Sequence, residues 1–246
     1  MSTRQTNMKT FTNTKQTKNE ALIMMREHER LDHIVQGAYT SWKNGVFKGC
    51  LVGCATNGNH AGFEPEFGIP WRIAWLADDI FEGLSVNDAK KFPVKFFETV
   101  PEGVDLSRVH DQWCAWMLGD EVDGLTAISK KPSVAVMAAL FKRAASGDEP
   151  TEKEWNDAAQ ATEGVQLVLC IWSTEDAKNA WAVWAAQAAW VTRDAQNAQA
   201  GWSSRAAKDN RSAWAPQFDR TANNAAAQKI AIKQRDKLLE LIRNAS

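Results

Sequence analysis

Tyrosine, proline, alternating strand patterns and long apolar runs are all scarce in this chain of 246 residues. It holds one tyrosine and seven prolines, and no alternating segment longer than Phe47–Val52, which argues against a sheet-based fold. The longest apolar stretches, such as Ala180–Ala189, are broken by glutamine or charge. No membrane span is expected, and the polar first nineteen residues do not read as a secretory signal. The net charge is only −1, from 29 Lys and Arg against 30 Asp and Glu, which removes the simplest argument for a dedicated DNA or RNA binder. Four cysteines, two of them isolated, do not make the framework of a small secreted scaffold, so reduced thiols in a cytoplasm are expected. A phosphate loop, a dinucleotide fingerprint, a His-Glu-x-x-His helix and a Gly-x-Ser-x-Gly elbow are all missing, which disfavours most enzyme classes with a readable signature.

What the chain does hold is helix. The pattern predicts an all-α multi-helix bundle in three parts: a flexible basic arm over 1–18, a helical core domain over 19–148, and an Ala- and Trp-rich helical subdomain over 149–246. The arm is rich in Thr, Asn and Lys with almost nothing to bury. A helix starts near Asn19 with Leu22, Ile23, Met25, Leu31, Ile34 and Val35 on its apolar side, and Gly37 interrupts it. Pro70 opens a helix to about Glu82 whose inward residues are Ile73, Leu76, Ile80 and Phe81. A shorter helix over Ser85–Val100 is expected to break or kink at Pro93. Ser107 can cap a helix that buries Val109, Trp113, Trp116 and Met117, and Pro132–Ala145 forms another. Ser146–Pro150 reads as a subdomain boundary. Thr151-Glu152-Lys153-Glu154 has the form of a capping box, with a weaker version at Ser173–Asp176. Long Ala/Trp-rich helices follow, and a last helix over Gln217–Asn244 packs through Ile230, Leu238, Leu241 and Ile242.

Between Trp42 and Gly68 lies a stretch rich in Gly and Asn that keeps neither period, and it reads as one long irregular loop carrying a site. Small strands within 45–56 remain open. The loop holds Cys50, Cys54, His60 and Glu64. Cys50-x3-Cys54-x5-His60 has the residue types for three zinc ligands. Structural zinc sites usually add a second, distant pair, and Cys114 and Cys170 stand alone, so no metal and no cofactor is expected. Two small buried thiols are the plain alternative. Nucleophilic chemistry is the sharper one, since His60 or His28 could draw off a thiol proton, and Asp32, four residues after His28, could orient that imidazole.

Twelve tryptophans, seven of them after residue 150, are explained most simply by close Ala/Trp helix packing. Trp202 also lies three residues before Arg205, and Arg205, Lys208 and Arg211 recur every three residues. An indole beside a basic stripe suits a nucleotide ligand or an acidic partner.

The series Met25-Arg26-Glu27-His28, Asp32, Ile34-Val35-Gln36-Gly37, Tyr39, Gly49-Cys50-x-Val52-Gly53-Cys54, His60, Glu64, Gly68-Ile69-Pro70, Asp79-x-Phe81-Glu82-Gly83-Leu84, Pro93 and Gly103-x-Asp105-Leu106-Ser107 resembles a family of tailed-phage and prophage proteins. The resemblance covers about residues 24–118 and implies origin: a non-virion phage protein made in the host bacterial cytoplasm. It carries no activity or residue role.

The function expected from these readings is a non-catalytic binding protein that sequesters a nucleotide-like ligand or a host defence protein, with enclosed sites formed between copies of a homo-oligomer. Its ligand-binding residues would be His28, Asp32, Tyr39, Cys50, Cys54, His60, Glu64, Trp202, Arg205 and Lys208. The alternatives are a Cys/His-dependent or metal-dependent hydrolase and a structural or assembly accessory protein.

Overall fold

A computed structural model describes residues 8–38, 40–43, 45–128, 132–155, 157–158 and 225–246. In chain order its elements are α1 (Lys18–Arg30), β1 (Thr40–Lys43), β2 (Val46–Gly49), α2 (Leu51–Ala55), a 3-10 turn (His60–Gly62), α3 (Phe63–Phe67), α4 (Trp71–Gly83), α5 (Val86–Thr99), α6 (Val109–Gly119), α7 (Leu125–Ile128), α8 (Pro132–Ser146) and α9 (Ala225–Arg243). The structure is mostly helical with one small hairpin, and no described helix is long and apolar enough to cross a membrane. The chain divides into two compact units, residues 1–109 with 213–246, and residues 110–212.

In the first unit, α1 begins at a capping box. Thr17 Oγ1 accepts from the Glu20 amide while the Glu20 carboxylate accepts from the Thr17 amide at 2.8 Å, satisfying two orphan donors at once. The helix buries Ala21 and Met25 against α5 and ends before Asp32, whose φ is +56°. That is earlier than the apolar run to Val35 predicts: Ile23 and Leu31 stay exposed, and Val35 donates to Gly49 O instead of continuing the helix.

The stretch over 42–68, expected as an irregular loop, is regular for most of its length. β1 and β2 pair antiparallel in the register Thr40↔Gly49 to Lys43↔Val46 around Gly45, and α2, the 3-10 turn and α3 follow. Elements of three to five residues are too short to display a period, which is why the pattern read as none. Phe47, Leu51, Val52, Phe63 and Phe67 are all buried.

Helix α4 keeps Ile73, Leu76, Ile80 and Phe81 buried, as its periodicity requires, with Pro70 just outside it as N-cap. Helix α5 runs through Pro93 without interruption, its Ser85 cap accepting from the Asp88 amide. Helix α9 packs on both α4 and α5 through Ile230, Ala231, Leu238, Leu239 and Ile242.

The arm expected to be flexible is docked from Thr10 onward. Thr10 is fully buried, its amide donating to Val104 O and its carbonyl accepting from Gly103, while Phe11 donates to Phe67 O. Composition could not show this, because most of the docking bonds are backbone bonds that any residue can make.

The second unit is built on α6 and α8. Trp113, Met117, Met137 and Phe141 are buried, and the Phe141 ring lies 4.9 Å from that of Trp155. The Thr151 capping box is present, with Thr151 N donating to Glu154 Oε2 at 2.7 Å. Ser146–Pro150, read from sequence as a subdomain boundary, lies within this unit as the exit of α8, with Arg143 paired to both Asp148 and Glu154. The long Ala/Trp-rich helices, the Ser173–Asp176 cap and the first turns of the last helix lie outside the described residues.

Gly68 holds the docked N-terminal segment in place. Its φ is +66°, and a Cβ there would stand 2.3 Å from Lys9 O, so both its backbone conformation and the space require glycine. Gly68→Ala is expected to lower unfolding free energy by about 1–3 kcal/mol and to expose residues 8–17 to limited proteolysis. Denaturant melts and a trypsin time course check this; an unchanged midpoint with an uncut arm would contradict it.

Candidate functional site

Three side chains from separated parts of the sequence meet beneath the hairpin. One donor atom from each of Cys50, His60 and Asp78 lies within 4.8 Å of the other two. Each is placed by a local reason that the backbone makes clear.

Cys50 follows the last residue of β2. Gly49 is fixed on both sides, donating to His33 O at 3.0 Å and accepting from Val35 at 2.9 Å, so the chain must turn directly after it. Cys50 then serves as the N-cap of α2, its Sγ accepting from the Gly53 amide at 3.4 Å. A sulfur takes the position that Ser or Asp usually fills.

His60 opens the 3-10 turn after Asn57 and Gly58, both at positive φ. Its Nδ1 faces Gly58 O at 3.4 Å and its Nε2 faces Cys50 Sγ at 3.3 Å. A carbonyl only accepts, so a proton on Nδ1 serves that contact, and in this neutral tautomer Nε2 faces the sulfur with its lone pair.

Asp78 comes from α4. It lies four residues after Ala74 and three before Phe81, hence on the inward side, and is only 6% exposed. Its Oδ1 accepts from the Val52 amide at 3.4 Å, which sets the carboxylate over the first turn of α2.

These surroundings keep the thiol protonated. Burial pushes Cys50 well above the ordinary thiol range, and the Asp78 charge adds to that, with the thiol donating to its carboxylate and Glu82 contributing further; the Gly53 amide pulls the other way. Cys54 is pushed up to about 12, chiefly by burial, and its Sγ donates to Gly49 O at 3.4 Å and toward His33 O at 3.7 Å. Buried thiols of this kind are poor nucleophiles.

Of the residues singled out from sequence, the structure brings Cys50 and His60 together. Cys54 shares α2 but bonds to other groups. His28 pairs elsewhere, its Nδ1 lying 3.1 Å from Nδ1 of His33, with a further bond to the Cys54 backbone. Asp32, expected to orient His28, instead forms an ion pair with Lys90 at 2.5 Å and approaches Lys48 at 3.6 Å; the end of α1 carries it off the helix face. Glu64 accepts from the Trp71 amide at 3.2 Å and so caps α4. Tyr39, Trp202, Arg205 and Lys208 lie outside the described residues.

Sequence reasoning missed Asp78 and His33. The signal for Asp78 was available, since an acid on the apolar side of a helix is costly to bury without a purpose or a partner. Glu82 and Gln36 were also passed over. Glu82 accepts from the Gly37 amide at 2.8 Å, and Gln36 Nε2 donates to the carbonyls of Phe81, Glu82 and Leu84. Together they tie the strap after α1 to the end of α4.

The His28–His33 pair makes stability depend on acidity. Burial, then the neighbouring His33, lowers the pKa of His28 below its ordinary value near 6.5, so the fold prefers the neutral ring. Its contribution is complete above about pH 6.5 and is lost as the pH falls through the lowered folded value. The melting temperature is expected to decline as the pH falls below about 6.5, ahead of the range in which most carboxylates titrate, and His28→Gln is expected to flatten that decline. Thermal melts across this range check it, and an identical profile for His28→Gln would contradict it.

No family model, no curated protein and no solved structure matches this chain.

Proposed function

We propose that the protein is a hydrolytic enzyme centred on Cys50, His60 and Asp78, in which water rather than the thiol attacks the substrate. The observation that carries this reading is the convergence of the three groups, within 4.8 Å of one another, from the hairpin exit, the 3-10 turn and α4. Two proton acceptors, Nε2 of His60 and the Asp78 carboxylate, surround one point, which is the requirement for drawing a proton from water as it attacks.

Two features favour water over the thiol. Cys50 is held protonated by burial and by Asp78. A thiol nucleophile also works best with an acid behind the imidazole, orienting Nδ1; here Nδ1 faces a backbone carbonyl, and the acid stands beside the sulfur.

Of the three residues, His60 is the least buried. His60 is half-buried, while Asn57, Asn59 and Ala61 around it are exposed. A substrate reaching the centre from this side meets the imidazole first, with the carboxylate and sulfur behind it. The sequestration of a nucleotide-like ligand or host protein, and the phage origin that the motif series implies, keep only their sequence grounds. The stripe Trp202, Arg205 and Lys208 on which the former rests lies outside the described residues.

Release of nitrophenol from p-nitrophenyl acetate and from bis(p-nitrophenyl) phosphate tests this. The chain is expected to turn over at least one of them, with His60→Ala and Asp78→Asn each lowering kcat/KM by about 10²–10⁴-fold. Mass spectrometry of the quenched reaction is expected to show no adduct on Cys50. Absence of turnover on both substrates, or turnover indifferent to His60→Ala, would contradict the reading.

A further inference from the structure

We infer that Cys50, His60 and Asp78 bind a single divalent transition-metal ion of the zinc class. This deepens the hydrolytic reading and rests on it only for the use made of the ion; the site itself rests on geometry, donor chemistry and the count of protons.

The spacing matches a shared ion. Zinc holds thiolate sulfur at about 2.3 Å and imidazole nitrogen at about 2.0–2.1 Å, so a tetrahedral pair stands about 3.6 Å apart. Cys50 Sγ and His60 Nε2 are 3.3 Å apart, and a carboxylate oxygen of Asp78 completes a triangle within 4.8 Å. Binding one ion would draw the three donor atoms closer, to the roughly 3.3–3.6 Å at which tetrahedral ligands stand.

The donor set selects the metal. Thiolate, imidazole and carboxylate together suit zinc and its neighbours, whereas calcium and magnesium take shells of six or more oxygens. Three protein ligands leave a fourth position for water or substrate, and His60 is the ligand nearest exposed residues, Asn59 and Ala61. Catalytic sites have that composition, while structural sites are closed by four protein ligands.

Protons and charge reach the same result. Cys50 Sγ lies 3.3 Å from Nε2 and shares the cluster with a carboxylate oxygen, and a thiol has one proton to give up. A dication replaces that proton: the S–H bond breaks, sulfur gives its electron pair to the ion, and one proton leaves to solvent with no change of oxidation state. The thiolate and carboxylate charges then cancel the ion's two positive charges, so the buried site becomes neutral. The contact of Nδ1 with Gly58 O is the outer partner that metal-bound imidazoles ordinarily have, fixing ring and tautomer. With Nε2 and an Asp78 oxygen engaged as ligands, neither would serve as proton acceptor; a bound ion would instead lower the pKa of the water in the fourth position and so take over its activation.

Cobalt(II) and zinc titrations of the full chain, stripped beforehand with chelator, test this. The expected result is one ion per chain, a sulfur-to-cobalt charge-transfer band in the near ultraviolet, and about one proton released per ion in calorimetry across buffers of different ionisation heat. Cys50→Ser keeps an N-cap oxygen for α2 and should fold; it is expected to lose the charge-transfer band. His60→Ala and Asp78→Asn are expected to weaken binding by more than about a hundredfold, beyond the usual cost of an outer-shell change, while Cys114→Ser leaves binding unchanged. Thermal melts of each variant without metal confirm folding. Failure of the stripped wild-type chain to bind either ion, or a charge-transfer band that survives Cys50→Ser, would overturn the inference. A bound ion without turnover would refute the hydrolytic reading and leave the site standing; turnover undiminished in the stripped protein would remove the ion from the reaction.

Discussion

A carboxylate on the inward side of a helix has to be compensated where it lies, because an uncompensated buried charge costs several kcal/mol. Asp78 is that group, and much of the first unit is arranged so that its needs are met. The amide of Val52 and the thiol of Cys50 both donate to it. Those donors are available only because α2 starts immediately after Gly49 and directs its first turn at α4. The hairpin ahead of it, the strap that pairs with Gly49 and the turn that brings in His60 place the remaining pieces. One buried carboxylate thus joins α4 to the start of α2, with His60 beside them.

Support for this cluster comes from outside it. The strap from His33 to Gly37 bonds to β2 at one end and to the end of α4 at the other, through Val35, Gln36 and Gly37. The strand that leads into Cys50 and the helix that carries Asp78 are therefore held by one short piece of chain. His28 packs against Phe47 at 5.7 Å and against His33, so the same region contains the acid-sensitive pair. The N-terminal segment docks on α3 and on the turn after α5, with the Phe11 ring against Phe67.

The sequence was most legible where an element was long and amphipathic. Helices α4, α5, α6 and α8 follow from their apolar spacing, and the capping box read at Thr151 is present. It was least legible between Trp42 and Gly68, where every element is five residues or fewer and periodicity has no room to appear. The same stretch nevertheless identified two of the three residues of the centre, because cysteine and histidine are informative whatever backbone carries them. Asp78 escaped because a helical acid reads as solvated until the helix is oriented, and the apolar residues around it already define a plausible inner face without it. Thr10 and Phe11 escaped for a different reason: their docking is done mostly by backbone groups, which leave no mark in composition. The pairing of Asp32 with His28 was misread because the helix was taken to continue, whereas the chain turns into a left-handed conformation at Asp32 itself.

The account stands or falls on Cys50, His60 and Asp78 acting on one ion through their three different donor atoms. X-ray absorption at the zinc edge of the metal-loaded chain reads that shell directly. A first shell with one sulfur at about 2.3 Å and the remaining scatterers nitrogen or oxygen at about 2.0–2.2 Å is the predicted result. A shell of oxygen and nitrogen alone, or one of several sulfurs, would contradict it.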